Sequence, residues 1–180
     1  MGESFPVAYS WCDIFTSEKL GYLLMDMSTY RKESLESMIK HMPDATYSFR
    51  EMLLLDSIVL NYDRHMGNYG FMVDNDTFRI VRIAPIFDFD HCLGDYISLQ
   101  SNTPKEAFEN ITTKKMPRTE CGDWYQQAKM VMTPELRNNM KNMMPFHFKR
   151  FTGQYDLDDL RIKFMEAIVN TQIKRILSIT

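Results

Sequence analysis

The spacing of apolar positions divides the chain into a helical body interrupted by one short β segment. Over residues 46–60, Phe49, Met52, Leu55 and Val59 share one helical face, and Leu54 and Ile58 lie beside them. An apolar surface that wide predicts a helix buried on most sides, delivering the chain directly into Asn61-Tyr62-Asp63. Residues 71–73 and 78–83 instead alternate with a period of two around Asp74-Asn75-Asp76-Thr77. That is the pattern of a β-hairpin, and Pro85 closes its second strand. Upstream, residues 1–15 read as extended, with 7–15 a candidate strand. A helix is expected from Ser28 or Thr29 to His41, ended by Pro43-Asp44.

The second half reads as helices. Thr103-Pro104-Lys105-Glu106 is a capping box with proline at the first helical position. Thr133-Pro134-Glu135 repeats that start without the acid at the third position. The last helix is expected over 157–178, burying Leu157, Leu160, Phe164, Ile168, Val169, Ile173 and Ile176. The expectation is a mainly α chain with one small β-hairpin, forming a single domain over 1–180.

Composition adds limits rather than identity. With 44% hydrophobic and 25% charged residues, 180 residues suffice for one globular core. Fifteen methionines and only seven glycines suit a helical body with an adaptable core. A net charge of -3 argues against a general nucleic-acid binder, and the basic stretch 141–150 reads as a solvated face. Cys12, Cys92 and Cys121 are odd in number and form no C-x-x-C pair, which disfavours a disulfide framework or a structural zinc site. Cys12 and Cys92 read as small core residues of a reducing compartment. The most apolar run, 52–60, is too short to span a bilayer and contains Asp56. With no leader pattern at the N-terminus, the cytoplasm is the expected location.

The chemistry is concentrated in 60–94. Asp63, Asn68 and Asp88 lie on two loops flanking the hairpin, in the order Asp-x-x-x-x-Asn, then Asp. Phosphoryl transfer needs such a set: one carboxylate to orient the attacking hydroxyl, and an amide and a second carboxylate to hold metal ions against the phosphates. The ligands are hard oxygens with no His/Cys cluster, so Mg2+ is the expected ion. His65 is a candidate proton acceptor or phosphate contact, and equally a buried hydrogen-bonded histidine. Arg64 is expected to pair with Asp88 or another carboxylate, or to support the loop. Asp90 would share a side with Asp88 on an extended segment, which makes it a weak further metal candidate. Taken singly, Asp63, Asn68 and Asp88 are also ordinary turn and cap residues. Two other motifs fail. Asp74-Asn75-Asp76 lacks the glycine and glutamate of a calcium loop. Asp88-Phe89-Asp90 carries Cys92 where a haloacid-dehalogenase-like phosphatase has threonine, and the alternating α/β chain of that fold is missing.

N-Y-D-R-H-M-G-N-Y-G, a hairpin, and then I-A-P-I-F-D resembles the catalytic and metal-binding loops of HipA-like serine/threonine kinases. The D-R-H-x-x-N core and D-F-D-H-C-L-G are also similar to the phosphatidylinositol 3/4-kinases, a related branch of the protein-kinase-like fold. Ala84-Pro85 and the 25-residue spacing from Asp63 to Asp88 favour the HipA-like side. The resemblance covers about 35 residues and implies Asp63 as catalytic aspartate, His65 as accessory, and Asn68 and Asp88 as magnesium and ATP-binding residues. Asp90 departs from the glycine of the usual kinase D-F-G. Gly2 and Gly21 are the only glycines before Gly67, so no Gly-rich phosphate-covering loop is legible. The resemblance therefore implies the C-terminal lobe of a protein-kinase-like fold, helical, its hairpin carrying the metal loop, with 1–16 holding a candidate hinge strand and the N-terminal lobe absent. Such a lobe is expected to be inactive alone. Its partners would be a protein substrate and a separate N-lobe or antitoxin-like protein, as in a toxin-antitoxin pair. Two alternatives stand beside it: a non-catalytic kinase-like interaction module, and a lipid kinase. The latter would want a basic activation segment, where 95–120 offers Lys105, Lys114, Lys115 and Arg118.

Overall fold

The computed structural model describes residues 20–24, 43–65, 68–74, 76–77, 80–99, 104–118, 122–149 and 157–180. The strand expected at 7–15, the helix expected at 28–41, the cap residue Thr103, and Cys12 and Cys121 lie outside them, as do Asn75, Phe78 and Arg79 in the turn region.

The secondary structure is mainly helical. In chain order the elements are β1 (Leu20–Leu24), α1 (Pro43–Val59), β2 (Gly70–Asp74), β3 (Ile80–Ile83), α2 (Pro104–Lys114), α3 (Trp124–Val131), α4 (Pro134–Asn142) and α5 (Asp159–Ile179). They fall into two compact units, Met1–Phe49 with His65–Phe87, and Arg50–Arg64 with Asp88–Thr180. Among the described residues no helix is long and apolar enough to cross a membrane.

The first unit holds a three-stranded antiparallel sheet in the order β1-β2-β3. β1 pairs with β2 from Leu20↔Asp74 to Leu24↔Gly70, and β2 pairs with β3 from Phe71↔Ile83 to Val73↔Ile80. An irregularity between Met72 and Val73 interrupts the second ladder. Met72 on the central strand is fully buried, and the Phe49 ring meets the edge of Tyr69 at 5.5 Å.

The second unit is helical; α1 belongs to the first unit up to Phe49 and to the second from Arg50. α1 begins at Pro43, three residues earlier than its apolar pattern, because proline fits the first turn, where its missing N–H has no partner to lose. The helix ends in a Schellman turn: Leu60 adopts φ 58°, and the Asn61 N–H returns to the Asp56 carbonyl at 3.0 Å. That left-handed position usually takes glycine. Here a leucine bears the strain, on the order of 1 kcal/mol, and its burial in the core offsets it. Leu60 packs with Ala107, Ile111, Trp124, Phe164 and Ile168.

Buried polar side chains join the helices. Gln127 donates to the Leu53 carbonyl and to Ser57 Oγ, at 2.9 and 3.0 Å, and Gln172 donates to the Ser57 carbonyl at 3.0 Å. Such pairing is what makes a buried amide tolerable. α3 starts at a capping box between Asp123 and Gln126, and α4 at Thr133, whose hydroxyl accepts from the Leu136 N–H at 3.2 Å. α5 buries Phe164, Ile168, Val169, Ile173 and Ile176, whereas Leu157 and Leu160 are 49% and 51% exposed. The expected stripe begins one turn too early: Asp158 caps the helix, so Leu157 precedes it and Leu160 sits in its open first turn.

Gly94 is a point of close approach in this packing. It has φ +68°, and a Cβ there would lie 2.5 Å from Ile111 Cδ1 and 3.2 Å from Phe164 Cε1. Gly94→Ala is expected to destabilise the protein by about 1–3 kcal/mol, measured by urea denaturation. A variant as stable as the parent would show that the core yields at this point.

Candidate active site

Three residues after α1 ends, Asp63 sits in a loop organised by Asn61. The Asn61 Oδ1 accepts the Asp63 N–H at 3.1 Å. Its Nδ2 donates to Asp56 Oδ1 at 3.0 Å and to the Asp88 carbonyl at 3.4 Å. One buried amide thus ties the backbone of Asp63 to the backbone of Asp88, 25 residues later. Two backbone bonds repeat the tie, Tyr62 N–H to His91 O at 3.2 Å and Leu93 N–H to Val59 O at 2.8 Å.

Beneath this amide lies a buried ion pair. Arg64 donates from Nε to Asp56 Oδ2 at 2.9 Å and from Nη2 to Asp56 Oδ1 at 3.0 Å. Its guanidinium also lies 4.8 Å from the centroid of the Phe89 ring. Burial pushes the Asp56 carboxyl above the usual carboxylate range, while Arg64 and Asn61 pull it back. Arg64 therefore pairs with Asp56 in α1 and supports the loop from below.

The two carboxylates differ in setting. Asp63 is 21% exposed and its Oδ1 meets Arg118 Nη2 at 2.7 Å. Asp88 is exposed and holds φ 60°, a conformation that aspartate tolerates better than most residues. That left-handed residue also breaks the extended run assumed for Asp88-Phe89-Asp90, so the alternation that would put Asp90 on the same side does not hold. Asp90 is exposed and lies 3.9 Å from His91 Nε2. His65 and Asn68 belong to the other unit, where the Asn68 N–H donates to the His65 carbonyl at 2.9 Å. Asn68 is buried and His65 half-buried. Among the described residues no three His, Cys, Asp or Glu side chains gather as a metal cluster. The oxygen donors Asn68 and Asp88 have the hard chemistry that suits Mg2+.

A second cluster borders the Asp88 loop. The Tyr62 hydroxyl donates to Asp95 at 2.9 Å, and His91 Nδ1 meets Asp95 Oδ2 at 3.1 Å. Burial, then the Asp95 carboxylate, hold the Tyr62 proton in place. The Asp95 hydrogen bond raises the His91 pKa above its ordinary value. Because the folded value is the higher one, His91 contributes stability in full below pH 6.5 and loses it as pH rises through the raised value. Asp95→Asn is expected to lower the His91 midpoint in an NMR titration, and an unmoved midpoint would remove Asp95 as the cause. Cys92 is only half-buried rather than a core residue; its thiol donates to the Phe89 carbonyl at 2.9 Å, and burial pushes its pKa up to about 12.

Asn61, Asp56 and Arg118 are the residues of this site that sequence reasoning missed. Only Asp56 left a signal there, as an acid inside the most apolar run of the chain.

The fold resembles that of a solved kinase structure, with a TM-score of 0.56 over 91% of this chain and 72% of that structure's own, at 15% sequence identity. That structure is of CtkA, a proinflammatory kinase of Helicobacter pylori. In sequence, the serine/threonine-protein kinase CtkA of Helicobacter pylori (strain J99) is 42% identical over 45 residues, or 25% of this chain. The sequence match spans 14% of that relative's length. No protein-family model matches the chain.

Proposed function

We propose that the chain is the C-terminal lobe of a HipA-like serine/threonine kinase, transferring phosphate from Mg-ATP to a protein hydroxyl. The observation that carries this reading is the Asn61 amide, which holds the Asp63 and Asp88 loops to each other in one unit. The similarity to CtkA supports it at the level of a kinase.

In this reading Asp63 accepts a hydrogen bond from the acceptor hydroxyl and aims its oxygen at the terminal phosphorus. Asn68 and Asp88 are the residues that would hold Mg2+, which when bound neutralises phosphate charge. Asn61 and the Asp56–Arg64 pair fix the backbone from which Asp63 and Asp88 project. His65 is assigned an accessory role in the same loop.

The test is phosphate transfer from labelled ATP in the presence of Mg2+, with the chain alone and with an added N-lobe. Protein serine/threonine acceptors and phosphoinositides are run in parallel. Transfer to protein hydroxyls supports the reading, and transfer to phosphoinositide alone would move the protein to the lipid kinases. Absence of transfer and of ATP binding in a complete two-lobe assembly would leave a non-catalytic kinase-like module.

A further inference from the structure

Arg118 contacts the candidate base, and it comes from a remote part of the chain. The backbone that presents it is pinned. The Lys115 N–H continues α2 by donating to the Ile111 carbonyl, and the Lys115 carbonyl accepts from Trp124 Nε1 at 2.9 Å. Trp124 is fully buried and Pro117 is buried, so residues 115–117 form a fixed strap. The Arg118 side chain extends from that strap, 55% exposed, with Nη2 on Asp63 Oδ1 at 2.7 Å.

We propose that Arg118 is an anion ligand of the candidate site. Its guanidinium rests on Asp63 and, when a nucleoside triphosphate binds, turns to the terminal phosphate and gives its place on the Asp63 carboxylate to the acceptor hydroxyl. The proposal rests on the phosphoryl-transfer reading of Asp63 and adds how substrate arrival and base release are linked.

Charge favours the exchange. A carboxylate offers one negative charge, whereas a terminal phosphate offers about two and accepts the planar guanidinium in bidentate fashion. An ion pair with so exposed a partner is weak and easily given up. The released Asp63 can then do chemistry. The acceptor oxygen forms its bond to the terminal phosphorus as the bond from that phosphorus to the bridging oxygen breaks. The nucleoside diphosphate leaves with the electron pair, and the hydroxyl proton passes to Asp63. Arg118 on the transferring group offsets charge that builds there, as arginines do in other phosphoryl transfers. Lys115 adds positive potential nearby, its Nζ 4.1 Å from the centroid of the Tyr62 ring and 4.9 Å from that of Tyr96.

A latch that merely blocked Asp63 would behave in the opposite way, so a binding cycle separates the two. Inorganic triphosphate is titrated calorimetrically into the parent chain, Arg118→Ala, Arg118→Lys, Asp63→Asn and the Asp63→Asn/Arg118→Ala double variant. Arg118→Ala is expected to weaken binding about tenfold, with Arg118→Lys between it and the parent. Asp63→Asn is expected to tighten binding several-fold, and most of that gain disappears in the double variant. Equal tightening by Asp63→Asn with and without Arg118 would mean simple loss of a negative charge and overturn the proposal. So would unchanged or tighter binding in Arg118→Ala, or no binding by the parent. The kinase reading fails on different data: phosphate transfer that survives Asp63→Asn.

Discussion

In the two-lobe assembly, Asp63→Asn is expected to lower phosphate transfer by roughly 10²–10⁴-fold, the usual range for losing a positioned general base. The fold should survive. Asp63 is partly exposed and its ion pair with Arg118 lies at the surface, so the loss in stability is expected to stay under about 1 kcal/mol. The asparagine keeps the size of the side chain and the backbone N–H that Asn61 holds, and removes only the charge. Asp88→Asn makes a matched comparison. Asparagine accepts φ 60° as readily as aspartate does, so this change too isolates the carboxylate from the loop geometry. The two variants should differ in their response to Mg2+. Asp88→Asn is expected to raise the Mg2+ concentration needed for half-maximal rate, whereas Asp63→Asn lowers the rate at every concentration. Parent-like transfer by Asp63→Asn would remove it from the chemistry, and an unchanged Mg2+ requirement in Asp88→Asn would remove that residue from the metal.

Local chemistry made part of this legible in the sequence. Thr133-Pro134 marked the start of α4 because a hydroxyl cap and an N1 proline are signals that neighbouring residues alone decide. The period of 3.6 located the buried face of α5 from Phe164 onward, but not its open first turn, where a cap rather than a hydrophobe sets the boundary. Asp63 and Asp88 stood out because their spacing and residue types are those that phosphoryl transfer asks for. Asn61 did not, because an asparagine next to a loop aspartate looks like any turn residue until its amide is seen between two chain segments. Arg118 lay hidden for a related reason. Its contact with Asp63 depends on a strap fixed by Trp124, and no local pattern encodes a meeting across 55 residues. Asp56 was the readable omission. An acid inside the apolar run 52–60 demands a buried partner, and Arg64 is the first arginine to follow it along the chain.

That buried pair carries the largest stability prediction. Arg64→Ala is expected to destabilise the protein by roughly 3–5 kcal/mol, because it strips the buried Asp56 carboxylate of its guanidinium and leaves the neutral Asn61 amide beside it. The pH dependence should follow. Removing the guanidinium takes away the strongest influence that lowers the Asp56 pKa, so burial raises it further above its unfolded value. A carboxyl raised on folding binds its proton more tightly in the native state, so the variant should gain stability as pH falls from neutral toward the acid range. Urea denaturation across that range measures both effects, and a loss below about 1 kcal/mol, flat with pH, would demote the ion pair to a minor contact. The double variant Asp56→Leu/Arg64→Met then separates folding from function. Apolar replacement of both partners is expected to restore much of the stability, since neither charge is left buried alone. It does not restore the site, because Asn61 loses the carboxylate that orients its amide, and with it the tie between Asp63 and Asp88. A stable double variant with depressed phosphate transfer would place the role of the pair in aligning the two loops. Full activity in that variant would show that the backbone bonds from Tyr62 and Leu93 hold the loops without it.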